Sequence, residues 1–195
     1  MILVLLAVAV VAAAVYAVAG RGLSARVAPS APEAFAARAV RYLATPRAAR
    51  DRPNPIEAGE AAFNEGIEHF ADHCATCHAN DGSGDTAIGR NLYPRVPDMR
   101  EARTQSLSDG ELFSIIENGV RLTGMPAWGN GTPESERASW VLVHFIRRIP
   151  KLTAAEIDRM KALNPRTPAE FQAEEAARAG RQLPPAPPHT HSHTH

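Results

Sequence analysis

Two cysteines and a histidine within one short segment are the residues best suited to chemistry. Cys74, Cys77 and His78 stand in the order Cys-x-x-Cys-His, and these are the only two cysteines of the chain. This order is the signature of covalent haem attachment. Each thiol can add across a vinyl group of the ring, and the adjacent histidine is directed at the iron. The segment therefore predicts one haem, held by two thioethers.

Three other uses of such a segment fit less well. A thioredoxin-like Cys-x-x-Cys belongs to a βαβ unit, and no strand-like alternation surrounds these residues. Zinc needs four ligands, usually from a second Cys-x-x-Cys or His pair, and none follows in the domain. A local disulfide leaves His78 unexplained. Haem attachment is the interpretation that uses all three residues.

An iron ligated by His78 needs a second axial ligand or keeps an open position, and the two arrangements serve different functions. Met125 lies in the irregular loop Gly124–Gly129, which can carry a thioether to the far face of the ring. Other candidates have packing or a position on the motif's own helix as their simpler role: Met99, Met160, His69, His73 and His144.

Helices are predicted to position these residues. A helical run over residues 57–70 leads into the motif, and a capping box at Ser108 and Glu111 opens a helix that ends before Gly119. Thr132 precedes Pro133 at the start of a third helix, which runs to residue 149. The irregular stretch 92–97 is expected to offer a backbone carbonyl to the His78 ring.

The first segment, residues 1–20, is predicted to be a transmembrane anchor or an uncleaved signal. Residues 2–19 are apolar and uncharged, about the length of a bilayer-spanning helix, roughly 17 to 25 residues. A cleavable signal peptide competes, because Ala17-Val18-Ala19 fits a small-residue cleavage site. Arg21 and Arg26 follow the apolar run, an arrangement that by itself opposes export of the rest of the chain.

Residues 21–56 are predicted to be a proline- and arginine-rich linker with one short helix. They hold seven arginines against two acids. Phe35, Ala39, Tyr42 and Leu43 share one face of that helix. The helix either lies on an anionic membrane surface or is a linker helix, solvated or packed on the next domain.

Residues 57–150 differ from this basic linker in carrying an excess of acidic residues. Residues 57–150 hold eight arginines against fourteen acids, which predicts docking to basic surfaces. The whole chain has a formal net charge of zero, which gives no sign of a nucleic-acid binder.

The C-terminal part is predicted to hold a helical extension over residues 151–180 and a proline- and histidine-rich tail over residues 181–195. Thr153 with Glu156, and Thr167 with Glu170, can each open a helix. The tail ends in alternating histidines, which could chelate copper, nickel or zinc or belong to a solubilising tail or a cloning remnant: His189, His191, His193 and His195.

From about Gly59 to Ile149 the residues resemble single-haem class I cytochromes c, in their bacterial membrane-anchored form. The attachment motif and a Met-Pro-Ala-aromatic loop carry this resemblance. It implies an all-α cytochrome c-like haem domain over residues 57–150, with an N-terminal transmembrane helix and a C-terminal helical extension. It also implies one covalent haem c whose iron is ligated by His78 and Met125.

The resemblance further implies a contact between the first and last helices of the haem domain. Gly66 and Phe70 on the first helix would meet Trp140 and Phe145 on the second.

The implied function is that of a one-electron carrier rather than an enzyme. Haem is attached to such proteins outside the bacterial inner membrane, so the haem domain is expected to face the periplasm, which resolves the conflict over orientation. Expected partners are a quinol-oxidising complex, a dehydrogenase or a terminal oxidase. Two alternatives stay open: a haem sensor or enzyme in which Met125 is labile, and a metal-handling protein that uses the histidine tail.

Overall fold

The computed structural model describes residues 1–20 and 24–166, apart from the side chain of Val18. Within these ranges the chain forms helices and no strand, as the all-α prediction requires. A π-helical turn covers Phe70–Cys74, and 3-10 turns cover Gly89–Asn91 and Ile149–Lys151. The α-helices are α1 Ile2–Gly20, α2 Ala31–Ala44, α3 Arg47–Arg50, α4 Glu60–His69, α5 Ala75–His78, α6 Ala102–Gln105, α7 Asp109–Asn118, α8 Pro133–Arg148 and α9 Ala154–Leu163.

The apolar run at the start of the chain forms α1, a helix of 19 residues. Its large apolar side chains, from Ile2 to Tyr16, are exposed. Among residues 1–20 and 24–166, no helix combines the length and the hydropathy that a membrane span requires.

Local capping explains where α2 begins. The Ser30 hydroxyl accepts a hydrogen bond from the Glu33 N–H at 3.4 Å, and the Glu33 carboxylate accepts one from the Ser30 N–H at 3.3 Å.

Near the end of α2, the Arg50 guanidinium lies over the Tyr42 ring, 3.7 Å from its centroid. Tyr42, one of the four residues predicted to share a face of this helix, therefore contacts Arg50 of α3.

The segment that follows α2 packs against the helices of the domain. Gly110 on α7 makes this close approach possible, because an ideal Cβ there would lie 2.0 Å from the Ala49 carbonyl oxygen. Farther along, the Asn54 side-chain amide donates a 3.0 Å hydrogen bond to the Trp140 carbonyl on α8. The later part of the predicted linker is thus folded onto the domain.

Helices α4 and α8 cross at Gly66. An ideal Cβ at this position would lie 2.8 Å from the Phe145 Cβ and 2.9 Å from the Val141 carbonyl oxygen. The Phe70 and Phe145 rings meet next to the crossing, with centroids 4.6 Å apart. The predicted contact between the first and last helices of the domain is present at these residues.

Trp140, which the sequence assigned to the same crossing, stacks on α7. Its ring lies 4.0 Å from that of Phe113, with an interplanar angle of 12°. The position of Trp140 on α8, one residue before Val141, turns its side chain toward α7. The stack joins α7 and α8 into one wall of the core.

The first helix beyond residue 150 is part of the hydrophobic core. The Thr153 hydroxyl caps α9 by accepting a hydrogen bond from the Glu156 N–H at 3.2 Å, as predicted. Met160 on this helix is fully buried and belongs to the cluster that contains Phe70 and Ile149. The second predicted helix of the extension, from Thr167, lies outside the described residues.

Candidate haem attachment site

The attachment motif lies where α4 changes its winding. Cys74 is the last residue of the π-helical turn, and Cys77 and His78 belong to α5. π-Helical turns are rare and occur often at functional sites. The helix ends at once after the motif, because Ala79 takes a φ of 59°. Sequence patterns predicted a helix here but not its change of winding.

His78 is a buried, neutral imidazole. Only 8% of the residue is exposed, and burial lowers its pKa to about 4. Its ring lies 6.3 Å from that of Phe70, measured between centroids. An imidazole that stays unprotonated at neutral pH keeps a nitrogen lone pair for a metal.

The expected carbonyl partner of the His78 ring is not found. The Nδ1 atom is buried and has no hydrogen-bond partner among residues 1–20 and 24–166. Part of the 92–97 stretch packs on the turn after the motif: an ideal Cβ at Gly84 would lie 2.8 Å from the Val96 carbonyl oxygen.

Both cysteines carry free thiols, and each is half-buried. Burial, with a smaller contribution from neighbouring Cys77, raises the pKa of Cys74 to about 12. Cys74 is therefore a protonated thiol at neutral pH. The local disulfide considered for this motif is not formed.

The turn that follows the motif donates hydrogen bonds to the last backbone carbonyl groups of the motif. The Gly84 N–H donates to the His78 carbonyl at 2.8 Å, and the Thr86 hydroxyl donates to the Cys77 carbonyl at 3.2 Å. Gly82 in the same turn accepts a 2.8 Å bond from the N–H of Met99, which is buried in the core. These bonds satisfy the end of the short helix and fix the direction of the chain after His78.

The loop that contains Met125 folds back on the end of α7. Gly119 has a φ of 62°, and an ideal Cβ there would lie 2.6 Å from the Ala127 nitrogen. The Val120 N–H donates to the Met125 carbonyl at 3.1 Å, and the Thr123 hydroxyl accepts from the Met125 N–H at the same distance. Met125 is half-buried and its backbone is fixed from both sides.

Two contacts bring this loop against the residues around the motif. The Trp128 ring meets the ring of His73 edge-on, with centroids 5.3 Å apart. At the other end, an ideal Cβ at Gly124 would lie 2.7 Å from the Leu92 side chain. The structure thus brings the Met125 loop next to the turn that carries Cys74, and the role of Met125 as a ligand stays a prediction.

Glu117 also holds this loop, a role that the sequence did not reveal. Its backbone carbonyl accepts a 3.0 Å hydrogen bond from the Gly129 N–H, and its carboxylate accepts a 2.7 Å bond from the Ser139 hydroxyl on α8. A glutamate on a half-buried helix edge has no local pattern that marks it as a clamp between two elements.

The remaining candidate ligands lie elsewhere. His69 and His73 line an open cavity of about 350 Å³ that also borders Cys74 and Trp128. The Nε2 atom of His144 is 2.8 Å from the Ile56 carbonyl oxygen, so this histidine secures the segment before α4.

The residues present fit a covalently attached haem. A neutral, buried imidazole directly follows two free thiols separated by one helical turn, and the Met125 loop packs next to the same helix. In the described part of the chain, no group of three or more histidine, cysteine or acidic side chains is arranged to hold a bare metal ion. His189, His191, His193 and His195 lie outside the described residues, so tail metal binding stays a prediction.

Comparison with protein families identifies the same region. Residues 61–146 match the family model described as cytochrome C oxidase, cbb3-type, subunit III. The matched region contains the motif and Met125, and it extends from the start of α4 into the last turn of α8.

Proposed function

Because residues 61–146 form a single-haem class I c-type cytochrome domain, which serves haem-based electron transfer, we propose that this protein carries single electrons between respiratory-chain components. Cys74 and Cys77 would hold the ring, and His78 and Met125 would be the axial ligands. The haem iron supplies the one-electron chemistry. The protein is then a carrier or a redox subunit rather than an enzyme.

The observation that carries this proposal is the state of His78 beside two free thiols. Its burial keeps the imidazole neutral, and the bonds from Gly84 and Thr86 fix the backbone of the motif. A ligand that is already buried and fixed needs little rearrangement when the iron changes its charge. That property favours rapid electron exchange over substrate binding.

The Met125 loop supplies the distal side in this proposal. Its backbone hydrogen bonds and the approach of Gly119 hold the loop in one arrangement. A fixed thioether ligand closes the sixth position against small molecules and raises the reduction potential. The competing function, a haem sensor or enzyme, requires this position to open.

The partner we propose is a terminal oxidase, as electron acceptor. The family description names a subunit of a cbb3-type oxidase, and this supports a place in or beside such a complex. A quinol-oxidising complex or a dehydrogenase would be the donor. The excess of acids over residues 57–150 supports docking to basic surfaces.

We propose that α1 attaches the protein to the bacterial inner membrane, with the haem domain facing the periplasm. The support for attachment is the exposed apolar surface along α1, which has no partner among the described residues and which lipid would cover. The support for the periplasmic side is the attachment motif, because c-type haem is joined to the chain on that side. Alkaline extraction of membranes tests attachment: the full-length chain should stay in the pellet.

Optical spectra of the haem-loaded protein, with and without carbon monoxide, test the ligation. The parent protein should be low-spin and indifferent to carbon monoxide, whereas Met125→Ala should bind it. Met99→Ala is the matched control, because Met99 is a core residue. It should stay indifferent to the gas.

Other outcomes would contradict the proposal. Carbon monoxide binding by the parent protein would favour the sensor or enzyme. If the denatured chain did not retain haem, covalent attachment would be excluded.

A further inference from the structure

Helix α2 carries an apolar face that the described part of the chain leaves open. Ala36, Ala39, Val40 and Leu43 follow the spacing of one helix face, and Phe35 lies beside them. Phe35, Val40 and Leu43 are 69%, 65% and 79% exposed. Three large apolar side chains on one helix face form a surface that calls for a partner.

Contacts on the two edges of this face fix the rotation of α2. On one edge, the Tyr93 hydroxyl donates a hydrogen bond to the Glu33 carboxylate, which raises the pKa of Tyr93. On the other, the Arg50 guanidinium stacks on Tyr42. These contacts tie α2 to Tyr93 of the haem domain and to Arg50 of α3, and its apolar face is directed away from both.

The polar side of α2 is basic. It carries Arg38 and Arg41, and its one acid, Glu33, is hydrogen-bonded to Tyr93. A helix with an apolar face and arginines on its polar side has the composition of a helix that lies in the interface of an anionic bilayer. The same basic charge would repel a second copy of the helix.

The position of α2 in the chain points to the same occupant. It begins at Ala31, whereas α1 ends at Gly20. The ten residues between them span at most roughly 35 Å even when fully extended. If α1 is immersed in lipid, the start of α2 lies no farther than this distance from the bilayer, so the bilayer surface is within its reach.

We propose that α2 lies in the interfacial region of an anionic phospholipid bilayer, with Phe35, Val40 and Leu43 inserted among the lipids. The inference rests on the proposed membrane attachment through α1. The contacts at Glu33 and Tyr42 then give the helix a second role. They hold the haem domain at one orientation above the membrane.

Tryptophan reporters in the haem-loaded, full-length protein test this placement. Phe35→Trp places a reporter on the apolar face, Ala37→Trp on the opposite face and Tyr16→Trp on α1. Each variant is reconstituted in phosphatidylcholine vesicles with and without phosphatidylglycerol. Lipids brominated in the acyl chain quench only the immersed reporters, and the native Trp128 and Trp140 supply the background.

The expected result is a loss of emission at positions 16 and 35 but not at position 37. The loss at position 35 should be larger in vesicles that contain phosphatidylglycerol. Adding Leu43→Glu should abolish quenching at position 35 and leave position 16 unchanged, whereas Ala37→Glu should alter neither.

Each contrary result identifies what failed. Quenching at position 16 alone overturns the inference and leaves membrane attachment intact. Quenching at neither position 16 nor position 35 overturns both the placement of α2 and the membrane attachment through α1. Equal quenching at positions 35 and 37 contradicts the proposed orientation. A dimer in detergent that shields position 35 would assign the face to a second copy and overturn the lipid proposal.

Discussion

Gly66 and Phe145 approach so closely that the α4–α8 crossing has no room for a side chain at position 66. The ideal Cβ at Gly66 falls 2.8 Å from the Phe145 Cβ, well inside contact distance. Phe145 also packs on Phe70, which begins the π-helical turn that leads to the attachment motif. The crossing therefore fixes the helix that carries Cys74, Cys77 and His78.

Replacing Gly66 should destabilise the domain through this crossing. Gly66→Val is expected to lower the free energy of unfolding by about 1–3 kcal/mol or more, because the added atoms meet backbone as well as side chain. Chemical denaturation measures the change. Gly59→Val is the control, since an ideal Cβ at Gly59 has no atom of the described residues within 4 Å. Equal losses for the two variants would contradict the packing explanation.

The Met125 loop should be displaced by a methyl group at Gly119. Gly119 and Gly131 both have positive φ, 62° and 83°, so alanine at either position brings strain of about 1–2 kcal/mol. Only at Gly119 does the new Cβ also meet the backbone of the loop, at 2.6 Å. Gly119→Ala should therefore make the haem-loaded protein bind carbon monoxide, and Gly131→Ala should not. Binding by both variants would show that strain alone opens the site.

Arg147 is expected to contribute far more to stability than Arg137 on the same helix. Its guanidinium donates to Asp109 and to the backbone carbonyls of Gln105 and Leu107. Arg147→Met leaves these carbonyls unpaired and should cost about 1–3 kcal/mol in denaturation. Arg137→Met removes only an exposed pair with Glu65, worth about 0–1 kcal/mol. Equal losses of stability for Arg147→Met and Arg137→Met would contradict the role given to the Arg147 hydrogen bonds.

Glu156 should make the stability of α9 depend on pH. Hydrogen bonds from the Thr153 N–H and hydroxyl, together with Arg148, lower the pKa of Glu156 below its ordinary 4.5. A depressed pKa stabilises the folded state above the ordinary value, and this contribution disappears as pH falls through the folded value. Glu156→Gln keeps the shape of the cap and removes only the charge.

Denaturation at two pH values measures that contribution. Glu156→Gln should be less stable than the parent by up to about 1 kcal/mol at pH 7, and equally stable near pH 2. Asp158→Asn, which removes an exposed pair with Lys161, is the control and should change the free energy of unfolding little at either pH. A difference for Glu156→Gln that persists unchanged in acid would rule out a charge effect.

Features encoded by a few neighbouring residues were predictable from the sequence. The caps at Ser108, Thr132 and Thr153 are all present, because a cap depends on two or three residues and on little else. The left-handed residue after α7 is likewise set by Gly119 alone. The attachment motif belongs to the same class, since one helical turn determines its spacing.

Features set by distant contacts were not predictable. The docking of Ala49 on Gly110 and the clamp of Glu117 on Ser139 join residues far apart in the chain. Tyr42 has helical spacing that fits an apolar face, and its ring also stacks with Arg50. For Ala49 and Glu117 the partner lies outside the window in which a periodic pattern is visible, and for Tyr42 the pattern of apolar residues gives no sign of an arginine partner.

The π-helical turn Phe70–Cys74 acts as a phase shift between two parts of one helix. Relative to regular winding, such a turn accommodates one additional residue. Removing one residue from it should restore the α-helical period and rotate the attachment motif about the axis by about 100° relative to Gly66. Length in this stretch is therefore constrained even where composition is not: a substitution at the exposed Asp72 is tolerable, whereas a deletion there would turn both thiols and the imidazole away from the Met125 loop.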